Sequence, residues 1–156
     1  MTPGEHVFRV QLEWTGEPRP PRAAGRAHVV RADGKMHAIE GSAARAFHGD
    51  AARWNPEELL LAALADCHLL SYLYVTARDG IVVTGYEDAA TATLREDGRG
   101  GGAIVEVVLR PHVLVADASM LERAADLHAE ASELCFIASS VAFPVRHEPT
   151  IEVAPA

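Results

Sequence analysis

Two cysteines, Cys67 and Cys135, are the residues of this chain with the widest chemical range. Cys67 lies within Leu64-Ala65-Asp66-Cys67-His68-Leu69-Leu70, and Cys135 within Glu133-Leu134-Cys135-Phe136-Ile137-Ala138. As small apolar side chains both would simply be buried, since free cysteine is among the most buried residue types. As metal ligands they lack companions. Cys67 and His68 are adjacent and cannot easily share one ion from a helix, and no C-x-x-C or H-x-x-x-H spacing exists. His128 and Cys135, two helical turns apart, face the same way and nothing more. As a redox pair they need a thiolate attacker, a cation to stabilise it, and a second thiol to convert a sulfenic acid into a disulfide. Arginine is the expected cation, because Lys35 is the only lysine among 14 basic residues. The candidates in the first third of the chain are Arg26, Arg31 and Arg45.

The elements that must position these groups are legible in outline. His6 to Trp14 alternates apolar and polar residues, Arg26 to Ala32 reads as a second strand, and Asp33-Gly34 is a turn signal that lets Lys35 to Ile39 pair back. Glu17-Pro18-Arg19-Pro20-Pro21-Arg22 suits an exposed connection only. Asn55 is a helix cap, Pro56 fits the first helical position, and Glu57 and Glu58 complement the helix dipole. From Leu59 to Ala77 the run is apolar nearly all round, which predicts a central helix buried on every side, about 35 Å long and ended by Gly80. Ile81 to Leu94 and Ala103 to Val115 are strand-like, joined by the glycine-rich loop Glu96 to Gly102. Ala116 to Leu134 predicts a second, amphipathic helix carrying His128, and Val145 to Val153 a last strand. Strands, helix, strands, helix and strand in this order predict a single α+β domain over residues 1–156, built from antiparallel strands.

Composition narrows the function. With 156 residues, 49% hydrophobic and 23% charged, the chain suits one globular domain. A net charge of −8 argues against a nucleic-acid partner and against anionic membrane surfaces. No apolar run is expected to reach the ~20 residues of a spanning helix. The first residues lack the pattern of a secretory leader, so the expected compartment is the cytoplasm.

Asn55-Pro56-Glu57-Glu58-Leu59-Leu60, followed by Ala62-Ala63 and Cys67-His68, resembles the signature of the OsmC/Ohr family of thiol-dependent peroxidases. The second cysteine near the end of the next helix, before the strand Val145-Arg146-His147-Glu148-Pro149-Thr150-Ile151, is similar too, and the resemblance extends from Gln11 onward. It implies an OsmC-like fold, an intertwined homodimer with two interfacial active sites, and reduction of organic hydroperoxides without a bound cofactor or metal. Cys67 then matches the peroxidatic cysteine, Cys135 the resolving one, and Glu57 the glutamate ten residues upstream. The catalytic arginine is Arg26, in Gly25-Arg26, or Arg45, before Phe47-His48-Gly49; Arg26 is favoured. The reductant implied is an external dithiol, possibly a lipoylated protein. Two positions depart from the family pattern: Phe136 follows Cys135 where proline is common, and Asp66 precedes Cys67 where the residue is usually small or apolar. His68 reads as an interior or interface histidine.

Glu57 and Cys67 would be separated by ~15 Å along one helix and by roughly 80° around it. They cannot serve one site from the same helix, which agrees with a dimer. The same residues are compatible with two other classes: a non-enzymatic protein holding a small hydrophobic ligand, and a thiol sensor that forms the disulfide without repeated turnover.

Overall fold

The computed structural model describes residues 4–16 and 25–155; the proline-rich connection expected at Glu17 to Arg22 lies outside the described residues. The chain divides into two compact units, Met1–Leu59 and Leu60–Ala156.

The first unit holds a three-stranded antiparallel sheet of β1 (Gln11–Glu13), β2 (His28–Arg31) and β3 (Ile39–Gly41). The strands are shorter than the alternation predicts. β2 and β3 pair Val30 with Ile39 and His28 with Gly41, so the Asp33-Gly34 turn opens a wider loop and the third strand starts at Ile39. The segment after β3 fixes where the long helix begins. Trp54 N–H donates to Glu40 O at 3.1 Å, and Ser42 N–H donates to Trp54 O at 2.8 Å, tying Trp54 to the sheet edge immediately before the cap. Between them a single 3-10 turn, Arg45–Phe47, ends at His48 with φ +64°. Gly49 follows because a Cβ there would overlap the Ala43 carbonyl.

Helix α1 (Pro56–Arg78) is where the sequence places it. The Asn55 side chain accepts from Glu58 N–H at 2.8 Å, and the Glu58 carboxylate accepts from Asn55 N–H at 3.4 Å, a reciprocal capping box. At the other end Ile81 N–H donates to Thr76 O and Gly80 N–H to Ala77 O, with Gly80 at φ +74°. This is a Schellman ending, which glycine adopts without a Cβ penalty.

The second unit has two small sheets. One is β4 (Val83–Asp88), β7 (Pro111–Val115) and β9 (Thr150–Val153); the other is β5 (Thr91–Glu96), β6 (Gly102–Leu109) and β8 (Val145–His147). β4–β5 and β6–β7 run as one ribbon that changes sheets midway. The bend is closed by Asp88, whose carboxylate accepts from Arg110 N–H at 2.7 Å. The single last strand of the sequence reading is two strands, broken at Glu148-Pro149, because proline cannot donate to a ladder. Their pairings, β6 with β8 and β7 with β9, are parallel, which corrects the all-antiparallel expectation. The second helix also starts later than expected: the Asp117 side chain caps a 3-10 turn at Ala118–Met120, and α2 spans Leu121–Leu134.

α1 packs by one side into two apolar clusters. Leu64 joins Val107 and Leu109, and about two to three turns on, Tyr72 and Val75 join Val113, Val115, Ala124, Leu127 and Ala131. Burial on every side is not met within one chain: Leu70, Leu73 and Tyr74 of α1 are exposed. A second expectation is corrected here. By length and composition α1 is apolar enough to cross a membrane. A core helix shares that composition, and the packing of Leu64, Tyr72 and Val75 against strands and α2 is that of a core helix.

Candidate active site: a thiol pair, a carboxylate-lined cleft and a histidine stack

The second unit brings the two cysteines together. Cys67, half-buried on α1, and Cys135, buried in the residue after α2, are both free thiols and are close neighbours in space. Cys135 is placed by its own turn: its N–H donates to Ser132 O, its carbonyl accepts from Ser139 N–H at 3.0 Å, and its Sγ accepts from Ala138 N–H at 3.4 Å. Burial, followed by the neighbouring Cys67 thiol, pushes the Cys135 thiol up to about 11. Burial thus favours the protonated form of Cys135. Asp66, the departure beside Cys67, is exposed, as is Phe136 after Cys135.

Arg26 and Glu57 are together in the first unit. They line a cleft of about 400 Å³ with Trp14, His28, Phe47 and Pro56. The Glu57 Oε2 is buried without a hydrogen-bond partner. The floor is held by two bonds to backbone: Trp14 Nε1–H donates to Gly25 O at 3.0 Å, and His28 Nδ1 lies 2.9 Å from Arg26 O. Arg45 is exposed in its 3-10 turn and does not line this cleft, whereas Phe47 of the same turn does. Arg31, the remaining candidate, pairs with Glu13 at 3.8 Å on the sheet surface.

The site feature that residue-by-residue reading missed is a stack of imidazoles. His68 on α1 and His128 on α2 are buried, with His68 Nε2 3.0 Å from His128 Nδ1. His147 of β8 lies against His68 with ring centroids 4.2 Å apart, and Tyr72 stacks on His128 at 4.0 Å and 12°. Tyr72 Oη donates to Ala124 O at 2.9 Å. His68 Nδ1 and His128 Nε2 are buried without partners. Burial, then the neighbouring His147 and His128, pushes His68 down to about 3; burial, then His147, pushes His128 down to about 4. Both imidazoles are neutral at pH 7. His68 is interior, as expected, but satisfied on one nitrogen only. The hint in the sequence was the position of His128, two turns before Cys135; the structure pairs it with the His68 imidazole. Among the described residues no group of three or more His, Cys, Asp or Glu side chains is placed to hold a metal ion.

Two neighbouring free thiols, a histidine stack beside them and a separate Asn-Pro-Glu-Glu cap at an arginine cleft are set in a chain of α+β type. The family model for OsmC-like protein matches residues 48–150, and the chain belongs to that family and has its fold. An OsmC-like protein of unknown function from Vibrio cholerae is 30% identical, with a TM-score of 0.81, over 94% of this chain and 100% of that one. More distant structures share the fold. An organic hydroperoxide resistance protein OsmC from Legionella pneumophila is 17% identical with a TM-score of 0.67, over 95% of this chain and 98% of that one. An organic hydroperoxide resistance protein from Elizabethkingia anophelis is 18% identical with a TM-score of 0.66, over 96% and 99%. Among curated proteins none matches by sequence.

Proposed function

We propose that this protein is a thiol peroxidase that reduces organic hydroperoxides with Cys67 and Cys135. The observation that carries the reading is that the fold brings the buried Cys135 beside the half-buried Cys67, the two being 68 residues apart in the chain. The Cys67 thiolate attacks the distal oxygen of ROOH. The O–O bond breaks, the alkoxide leaves as ROH after taking a proton, and Cys67 becomes a sulfenic acid. Cys135 then attacks the Cys67 sulfur, the disulfide forms and water departs. A dithiol reductant, with a lipoylated protein as the expected physiological one, returns both cysteines to thiols by exchange.

Arg26 is the cation that stabilises the thiolate and the departing oxygen, and Glu57 orients it. Since Glu57 and Cys67 stand ten residues apart on one helix, we place the Arg26–Glu57 cleft of one protomer over Cys67 of its partner in a homodimer. The exposed Leu70, Leu73 and Tyr74 of α1 supply apolar surface for such an assembly. Trp14, Phe47 and Pro56 in the cleft favour an alkyl or aryl peroxide over hydrogen peroxide.

The test is consumption of cumene hydroperoxide and hydrogen peroxide by the protein, with dithiothreitol or dihydrolipoamide as reductant. Repeated turnover of the organic peroxide, lost in Cys67→Ser, is the expected result. Full activity in Cys67→Ser overturns the assignment. Disulfide formation without repeated turnover replaces the peroxidase with a thiol sensor.

A further inference from the structure

We propose that the buried hydrogen bond between His68 and His128 is a latch that positions Cys135 against Cys67. His68 and His128 are thus positioning residues for disulfide closure. The inference rests on the reading of the two cysteines as a disulfide-forming pair.

Each latch residue is rigidly related to one cysteine. His68 follows Cys67 directly on α1. His128 precedes Cys135 by seven residues, which is two helical turns and ~10.5 Å of rise along the same face of α2. Fixing His68 to His128 therefore fixes both the axial register and the rotation of α2 on α1, and with them the sulfur-to-sulfur approach. The other groups between the helices in this region support the same register: Tyr72 stacks on His128 and its hydroxyl bonds to Ala124 O. His147 from β8 closes the stack on the His68 side.

The chemistry of the stack fits a latch better than a filler. Apart from the Tyr72 hydroxyl bond to Ala124 O, the remaining contacts between α1 and α2 in the core are apolar: Tyr72 and Val75 against Ala124, Leu127 and Ala131. Apolar packing tolerates small slips, while a directional bond between two imidazoles, next to the cysteines, does not. Two buried imidazoles that leave His68 Nδ1 and His128 Nε2 without partners are costly compared with phenylalanine or leucine at the same places. Buried polar pairs that cost stability are retained where they specify one arrangement among several, as a polar residue does in a coiled-coil seam. Here the arrangement specified brings the Cys135 thiol beside that of Cys67.

The test reads the disulfide and not the peroxidase. The protein is equilibrated in buffers of reduced and oxidised glutathione, where oxidised glutathione takes two electrons from the dithiol and leaves as two reduced molecules. The ratio at half-oxidation gives the effective concentration of Cys135 toward Cys67. His128→Phe keeps the ring stack and removes the bond. It should lower the effective concentration at least tenfold, equivalent to a potential about 30 mV more positive. His128→Asn places an amide group near the position of Nδ1 and should return it to within threefold of the original. If His128→Phe does not fold, the bond is cut from the other side with His68→Phe. His68→Gln, which reaches the place of Nε2, is then its conservative partner, and the same loss and rescue are required. A folded phenylalanine variant with unchanged potential overturns the latch, and so does an asparagine or glutamine variant that loses as much as the phenylalanine. Because no peroxide is present, an unmodified protein that fails to turn over peroxide overturns the proposed function and leaves this measurement standing.

Discussion

Lowering the pH from 7.5 to 5 should destabilise this protein strongly, because its core holds imidazoles that stay neutral. In the unfolded chain a histidine titrates near 6.5, whereas His68 is held at about 3 and His128 at about 4, chiefly by burial. The folded pKa values lie below the unfolded ones. The unfolded state therefore binds more protons at any pH between them, and stability falls as pH drops through 6.5. The loss continues until the folded imidazoles themselves protonate near pH 3 to 4. At pH 5 each group costs about 2 kcal/mol, from 1.36 kcal/mol per pH unit below 6.5, so the pair costs about 4 kcal/mol. His147, lowered by burial, acts in the same direction, while Asp88, raised by burial, acts weakly in the opposite one. Domains have only about 5–15 kcal/mol in total, so the effect is measurable without extrapolation to extreme acid. The assay is urea unfolding at pH 7.5, 6.5, 5.5 and 5.0 at one fixed protein concentration. The carboxylates of Asp79, Glu130, Asp97 and Asp117 are held below their ordinary values and remain ionised over this range. His128→Phe should remove about half of the pH dependence. A loss under about 1 kcal/mol between pH 7.5 and 5.0 would refute the reasoning, since it would mean that the stack is protonated or hydrated in the native protein.

Replacing Cys135 with Ser should allow a single peroxide turnover followed by over-oxidation or mixed disulfides at Cys67, read by mass spectrometry; sustained turnover with a dithiol would remove its resolving role. Arg26→Ala should lower kcat/KM for an organic peroxide by about 100-fold, the cost of one preorganised electrostatic contact of ~2.7 kcal/mol. Arg45→Ala should change it by less than about threefold, because Arg45 does not line the cleft that holds Glu57. Asn55→Ala should cost about 1 kcal/mol in thermal or urea unfolding through the lost cap on Glu58 N–H at 2.8 Å. An unchanged midpoint would show that Glu58 or solvent satisfies the helix start without it.

Local rules located the long helix almost to the residue, because both of its ends are written in short-range chemistry. Asn55, Pro56 and Glu58 close the start, and Gly80 closes the end. The same rules failed where pairing is long-range. The last strand seemed continuous because its apolar pattern runs through Glu148-Pro149. Pro149 interrupts the ladder there, and the two sheets divide the halves between β6 and β7. The apolar surround of α1 predicted complete burial, yet periodicity reports how apolar a face is and not what covers it.

The sequence by itself determined the chemical inventory of this protein: two thiols, an arginine-rich basic complement and a capped helix with a glutamate in its first turn. It also carried the family, since the Asn-Pro-Glu-Glu cap and Cys67 are spaced along one helix whose geometry is fixed. The tertiary structure decided which of these groups meet. It set Cys135 beside Cys67 and pushed the Cys135 thiol up, because burial depends on neighbours remote in the chain. It put Arg26 and not Arg45 in the cleft with Glu57. It also assembled His68, His128 and His147 from two helices and a strand into a neutral stack. No spacing rule encodes that stack, because its members are brought together only by the packing of elements up to 79 residues apart in the chain, from His68 to His147.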